Sequence, residues 1–259
     1  MLLAFDVGNT ETTVGLFDGD RLDTVWRLTT TAQRTPDEWA TLLTAHLSQA
    51  GRSTEEVRAA IVASVAPPVT QDLCAGVHRA TGRSPVVVDA RSPLPIRLDV
   101  EEPLTVGADR IVNTLAASRM FDTDVIVVDF GTATTFDCIT HEGRFIGGVI
   151  MPGLRTAADE LVRKTAKLPA TELVAPERVI GRRTEECIRA GVLLGTAEAV
   201  DGLVRRIRAE WPDGRRPRVI ATGGLAPVVR PLCHEIEAVE PDLTLVGLRF
   251  AAAALGLAW

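Results

Sequence analysis

Apolar residues fall along the chain in two rhythms. Leu2 to Phe5 is an unbroken apolar run that ends at Asp6, which predicts a short buried strand. "TVGLFDGDRLDTVWRL" then predicts two strands joined by a turn at Asp18-Gly19-Asp20. The rhythm changes at "TPDEWATLLTAHLSQAG". Thr35 suits an N-cap, Pro36 the first turn, Asp37 and Glu38 the positive end of the helix, and Gly51 its stop. Trp39, Leu42, Leu43 and Leu47 recur at helical spacing. "RAAIVASVAPP" predicts a buried strand that stops at a proline pair, and "SPVVVDA" predicts another strand. Residues 91–106 carry three prolines and little periodicity, which predicts a connection. A helix is expected from about Ala108 through "GADRIVNTLAASRMF".

The second half opens on "DVIVVDF", whose solid Val and Ile content predicts burial on both faces. "GLRTAADELVRKTAKL" and "TEECIRAGVLLGTAEAVDGLVRRIRAEW" carry helical spacing. "RPRVIATGGLAPVV" predicts a strand, a glycine turn and a helix start. "FAAAALGLA" follows Arg249 and is too short to cross a bilayer, so a buried or docked helix is expected.

This order of elements repeats. "LLAFDVGNTETTVGLFDGDRL" parallels "VIVVDFGTATTFDCITHEGRF". Asp6 and Asp129 stand 123 positions apart, and the same offset pairs Gly8 with Gly131, Asn9 with Thr132, and Thr12 with Thr135. In each copy an apolar strand runs into D-x-G-[NT], and a second strand leads to a glycine turn (Asp18-Gly19, Glu142-Gly143). One such segment reads as an ordinary hairpin turn. Two in the same context predict a duplicated α/β architecture, each copy a mixed sheet flanked by helices. The division is expected at residues 1–118 and 119–259.

A D-x-G-[NT] loop brings backbone N–H groups, hydroxyls and an amide to one place. Such a concavity suits phosphate oxygens, and an Asp at the strand end can hold a cation. Two of them would grip one polyphosphate from both sides. Neither a GxxxxGK[ST] loop nor a strand-linked GxGxxG is present. Gly223-Gly224 in "ATGGLA" would let a ribose or ring lie on the backbone, although strand-to-helix turns also use glycine.

Composition narrows the classes. The 259 residues are 46% hydrophobic and 24% charged, an ordinary globular balance. A net charge of −6 argues against nucleic-acid binding through a general positive field. Cys74, Cys138, Cys187 and Cys233 form no CxxC pair, which argues against structural zinc and for reduced thiols. The N-terminus has neither the basic region of a signal peptide nor the length of a membrane span. A cytoplasmic protein without nucleic-acid or membrane partners is expected.

The duplicated hairpins and the late glycine turn resemble the actin-like ATPase superfamily of acetate and sugar kinases. Within it, "DVGNT", "GADRIVN", "VVDFGTATTFD", "GGVIMPG", "TAKLP", "VIGRRT" and "ATGGLA" resemble the signatures of type III pantothenate kinases, in that family's order. The resemblance implies duplicated ribonuclease-H-like domains and a homodimer. It implies ATP-dependent phosphorylation of pantothenate, the first step of coenzyme A biosynthesis. Mg²⁺ would come with the nucleotide, and a monovalent cation, K⁺ or NH₄⁺, would also bind.

Carried onto this chain, the resemblance assigns ATP phosphates to Asp6, Val7, Gly8, Asn9, Thr10, Glu11, Thr12 and Thr13, with Asp6 directed to Mg²⁺. Thr132 and the Gly223-Gly224 turn would also meet ATP. Gly107, Ala108, Asp109 and Arg110 would bind pantothenate, with Asp109 as general base, and Thr184 would reach pantothenate in the neighbouring subunit. Asp129 would hold the monovalent cation. Each residue also has an ordinary structural reading. Asp109 suits a helix N-terminus, Thr184 an N-cap, Asp129 a loop acid bonded to N–H groups, and Arg110 and Lys167 a solvated surface. The chain departs from the family at Glu11, commonly Asn, and at Val100 in the substrate region, commonly Tyr. Those departures motivate one alternative, a catalytically impaired nucleotide-binding regulatory paralogue; a kinase of another small hydroxylated substrate is a second, since pocket shape would depend on the dimer.

Overall fold

The computed structural model describes residues 1–259. They form two compact units, Met1–Ala116 with Leu243–Trp259, and Ala117–Asp242.

The first unit is built on a five-stranded sheet of order β3-β2-β1-β4-β5. Its strands are β1 (Leu2–Val7), β2 (Glu11–Asp18), β3 (Arg21–Thr29), β4 (Ala59–Ser64) and β5 (Val86–Val88). β1 pairs antiparallel with β2 and parallel with β4. Side chains alternate between the two faces of a strand, so β1 divides its residues. Leu3, Phe5 and Val7 pack with Trp39, Leu43 and Leu47 of α1 (Pro36–Gln49) and with Leu73 and Val77 of α2 (Pro67–Thr81). Leu2 and Ala4 pack on the other face with Ile111, Val112 and Leu115 of α3 (Ala108–Met120). Leu245, Leu248, Ala251 and Ala252 of α8 (Leu243–Ala254) complete that layer. Asp6 belongs to this second face by the same alternation.

The local signals in α1 are realised. Thr35 Oγ1 accepts from the Glu38 N–H, and the Glu38 carboxylate accepts from the Thr35 N–H. This reciprocal capping satisfies two donors that have no partner inside the helix. The proline pair does more than stop β4. It opens α2, which Gly82 closes in the left-handed conformation. Residues 91–106 hold only the two-residue β6 (Arg97–Leu98) and a 3₁₀ turn, Pro103–Thr105.

The second unit repeats the strand order as β9-β8-β7-β10-β11. Its strands are β7 (Val125–Phe130), β8 (Ala133–Ile139), β9 (Arg144–Pro152), β10 (Arg218–Thr222) and β11 (Ala238–Val239). β7 is antiparallel to β8 and parallel to β10, as β1 is to β2 and β4. Register breaks recur at Leu16/Phe17 and Cys138/Ile139, equivalent positions of the two copies. Ile126, Val128 and Phe130 pack with Leu154 and Ala158 of α4 (Leu154–Lys164), and with Ala197, Val200 and Val204 of α6 (Gly195–Ala209).

The structure also differs from the sequence expectation along the second half of the chain. α4 ends at Lys164, where Thr165 turns extended and its hydroxyl bonds the Leu161 carbonyl. The predicted helix over 184–211 is α5 (Thr184–Arg189), a π-helical turn (Ala190–Leu194) and α6. Gly191 and Gly195 weaken regular helix there. The C-terminal segment, expected with residues 119–259, packs with the first unit, because the apolar face of α8 completes the layer over β1 and β4. No helix is long and apolar enough to cross a membrane.

Gly247 explains how closely α8 approaches α3. A Cβ there would lie 2.2 Å from the Val112 carbonyl oxygen. Replacing an exposed helix glycine by alanine ordinarily gains about 0.5–1 kcal/mol. Gly247→Ala is expected to lose stability instead, by about 1–3 kcal/mol or more, since main chain must move. Gly202→Ala in α6, whose Cβ would meet nothing nearer than Arg205 Nη2 at 4.0 Å, is expected to gain. Thermal unfolding of the two variants checks the opposite signs.

Candidate active site

In the first unit the hairpin register fixes the site. Asp6 stands opposite Thr13, and Thr13 opposite Arg27, so the three form a row across β1, β2 and β3. α3 begins on the same face of the sheet. The Gly107 carbonyl accepts from the Ile111 N–H at 3.2 Å, which starts the helix. Asp109 lies in its first turn, and its Oδ1 accepts from the Arg110 N–H at 2.8 Å. A Cβ on Gly107 would sit 2.5 Å from that Asp109 oxygen, so glycine there clears room for the carboxylate.

Acids crowd this corner. Burial pushes the Asp6 carboxyl up to about 7, aided by the negative charges of Asp109 and Glu11 and opposed by Arg27. Burial also raises Asp109, against the Arg110 N–H and guanidinium, which favour its ionised form. Glu11 is not left bare in the loop. Arg27 Nη1 donates to Glu11 Oε1 at 2.6 Å.

The loop's other residues divide by direction. Asn9 and Thr10 are exposed. Gly8 has no positive φ; its N–H bonds the Glu11 carbonyl at 3.0 Å, and a Cβ would come within 2.9 Å of that oxygen. Val7 and Thr12 stand opposite each other on the α1 and α2 side. Thr12 is buried, and its hydroxyl shares a hydrogen bond with Thr30 Oγ1 at 2.9 Å. From these two positions, only main-chain groups face the loop's outer side. Val100 is half-buried between β6 and the 3₁₀ turn.

In the second unit, Asp129 is the penultimate residue of β7 and stands opposite Thr135. The Thr12–Thr135 pairing taken at the fixed offset is therefore out of step. Thr13 and Thr135 are the matching partners of the two acids, because the second hairpin is one residue shorter. A one-residue slip exchanges the faces of a strand, so the difference matters for every hydroxyl in the loop. Gly223 lies against Asp129. Its φ is +88°, and a Cβ would sit 2.4 Å from Asp129 Oδ1 and 2.8 Å from the Phe130 main chain. The turn leads into α7 (Ala226–Val229) and is fastened by Ala226 N–H to Gly223 carbonyl at 3.1 Å and Leu225 N–H to Phe130 carbonyl at 3.4 Å. Gly224 and Thr132 are exposed. The Thr132 carbonyl accepts from the Gly153 N–H and from Thr156 Oγ1.

Thr184 is exposed, and it is the first residue of α5 and not its N-cap; Arg183 holds that place. The structure adds residues that sequence reading missed: Arg27 beside Glu11, Thr30 beside Thr12, and Thr156 beside the Thr132 carbonyl. The signal for the first two is the register of the hairpin, which the sequence pattern does not specify to one residue; Thr156, at the start of α4, has no local signal.

Comparison with known proteins identifies the family. The family described as type III pantothenate kinase matches residues 2–206. The type III pantothenate kinase of Thermomicrobium roseum is 45% identical over 97% of this chain and 96% of its own length. That of Syntrophotalea carbinolica is 46% identical over 96% and 97%. Among solved structures, a putative 2-dehydro-3-deoxygalactonokinase from Sinorhizobium meliloti aligns with a TM-score of 0.61 at 14% identity, over 100% of this chain and 98% of that one. A ROK family glucokinase from Streptomyces griseus aligns at 0.55 and 14%, over 98% of each. These structural likenesses show a shared fold, of which the repeated strand order is the local expression. With its hairpins, its Gly-Ala-Asp-Arg helix start and its glycine turn in sequence over nearly its whole length, the chain belongs to the type III pantothenate kinase family.

Proposed function

We propose that this protein transfers the γ-phosphoryl group of ATP to the primary hydroxyl of pantothenate, opening coenzyme A biosynthesis. The observation that carries the reading is the near-full-length relationship to type III pantothenate kinases. The Asp6–Asp109 corner supplies the chemistry that this activity needs.

Phosphoryl transfer depends on position and on charge neutralisation more than on covalent help from the protein. Asp109 is the general base. Its carboxylate is oriented by the Arg110 N–H and stands in the space that Gly107 leaves open. It accepts the proton of the attacking hydroxyl as the new O–P bond forms, and ADP departs with the bonding electrons of the old one. Arg110 pairs with the pantothenate carboxylate. The 6–13 loop and Thr132 hold phosphates, and the Gly223-Gly224 turn receives the adenosine end.

A half-buried acid that resists ionisation beside two other acids suits a divalent cation, so Asp6 fits Mg²⁺ that arrives with ATP. Bound there, the cation would neutralise charge developing on the phosphates. Asp129, backed by the Gly223 turn, fits a monovalent cation. Val179 and Ile180 are 73% and 84% exposed, a few residues before Thr184. A second copy covering them would bury that apolar surface and bring Thr184 to its pantothenate site, which supports the homodimer.

Purified protein with ATP, Mg²⁺ and K⁺ is expected to release ADP only when pantothenate is present, and to need K⁺ for full rate. Asp109→Asn is expected to lower kcat by about 10²-fold or more while the thermal unfolding midpoint is kept. Absence of pantothenate-dependent ADP release would refute the assignment. Sedimentation at micromolar concentration is expected to give twice the 27.8 kDa chain mass.

Asp6 gives a separate test in nucleotide-free and cation-free buffer. Below its ordinary value of 3.8 the carboxyl is protonated folded and unfolded alike. Between 3.8 and about 7 only the folded chain keeps the proton, so its stabilising effect is lost as pH rises. Asp6→Asn avoids that loss. Its unfolding midpoint is expected to match wild type near pH 4 and exceed it at pH 8, while activity falls. Parallel melting curves for the two chains would overturn the buried-acid reading.

A further inference from the structure

Glu11 puts a carboxylate into a loop that the reading above assigns to phosphates, and a bare carboxylate there would repel them. The fold supplies its counter-charge from a neighbouring strand. Arg27 stands on β3 opposite Thr13, in the row that begins at Asp6, and reaches diagonally to Glu11 with Nη1 to Oε1 at 2.6 Å. Both side chains are 48% exposed, so the pair lies at the open rim of the hairpin. Exposed ion pairs add little to folding stability, so stability gives no sufficient reason to join these two strands this way. The loop already has its own ties, from the Gly8 N–H to the Glu11 carbonyl and from the Thr30 N–H to the Thr10 carbonyl, both at 3.0 Å.

We propose that Arg27 is a positioning residue for nucleotide binding: it draws the Glu11 carboxylate onto β3 and cancels its charge, so that the loop offers the triphosphate its N–H groups without a repelling anion. This rests on the pantothenate kinase reading for the ligand, but not for its test. Arg27 acts through Glu11 and need not touch phosphate. Removing the arginine frees a negative charge; removing both restores neutrality. An arginine that touched phosphate itself would leave the double variant as weak as the single one.

The experiment is calorimetric titration of a non-hydrolysable ATP analogue with Mg²⁺ into wild type, Arg27→Gln, Glu11→Gln and the double variant, at low and at high salt. No pantothenate is needed, so an inactive wild type that binds the analogue would defeat the functional reading and leave this one open to measurement. Arg27→Gln is expected to weaken binding about 5- to 10-fold at low salt, with the loss shrinking at high salt as screening shortens the reach of the free carboxylate. The double variant is expected to bind as Glu11→Gln does, and more tightly than Arg27→Gln. In the coupled assay the Arg27→Gln loss is expected in KM for ATP and not in kcat, a split that general loosening of the fold would not give. Unchanged binding by Arg27→Gln, a double variant as weak as Arg27→Gln, or a loss insensitive to salt would each overturn the proposal.

Discussion

The alternation of side chains along β1 is the constraint from which the site follows. Leu3, Phe5 and Val7 must enter the layer made by α1 and α2, and Leu2 and Ala4 the layer made by α3 and α8. That leaves Asp6 on the α3 face, at the strand end where apolar packing gives out. Shifting β1 by one residue would move its whole apolar set and put the acid into the layer of Trp39 and Leu43. A core that costs many kcal/mol to invert therefore fixes the direction of one carboxylate. Asp109 is brought to the same corner because Ile111, Val112 and Leu115 hold α3 on that face. The meeting of the two carboxylates is a by-product of packing, with Gly107 as the local allowance that lets the second one in.

The same constraint sets the charge problem. Three acids converge where the strands run out, and only one arginine side chain, Arg27, counts among the charges acting on Asp6. A protein optimised for stability alone would not gather them, since each raises the cost of ionising the next. The arrangement makes sense as one completed by cations and anions from outside. Stability is given up at the corner and recovered in the layers behind it, where apolar side chains are fully buried on both sides of the sheet.

Much of this was legible in the sequence. The solid apolar runs located β1, β4 and β7, Thr35 and Glu38 announced α1, and the two D-x-G-[NT] loops announced the duplication. What was hidden depended on register. Thr12 reads as a phosphate-loop hydroxyl, yet it is buried against Thr30 because β2 alternates in step with Val7. Arg27 reads as an ordinary strand residue, because its partner lies 16 positions away across a hairpin. The helix α2 was masked by Pro67-Pro68, which stop a strand and begin a helix equally well. The docking of α8 on the first unit had no local signal. It follows from unfilled space over β1 and β4, which only the folded sheet defines.

The duplication also shows how one scaffold comes to carry two different strand ends. Strand order, pairing directions and even the register breaks are kept in both copies. The differences gather at the strand ends. The second hairpin is one residue shorter, and its acid is backed by a glycine turn in place of a helix start bearing another acid. Packing explains both halves of this pattern. The sheet interior cannot change without inverting a layer, whereas a strand end can gain or lose a residue and still leave the alternation behind it intact. The first end was free to become an acidic corner of Asp6, Asp109 and Glu11. The second was free to become a single acid pressed against glycine. Asp6 and Asp129 share a place in the repeat, each opposite a threonine, and what separates their surroundings is what each fold copy sets beside them: Asp109 at the start of α3 in one, Gly223 in the other.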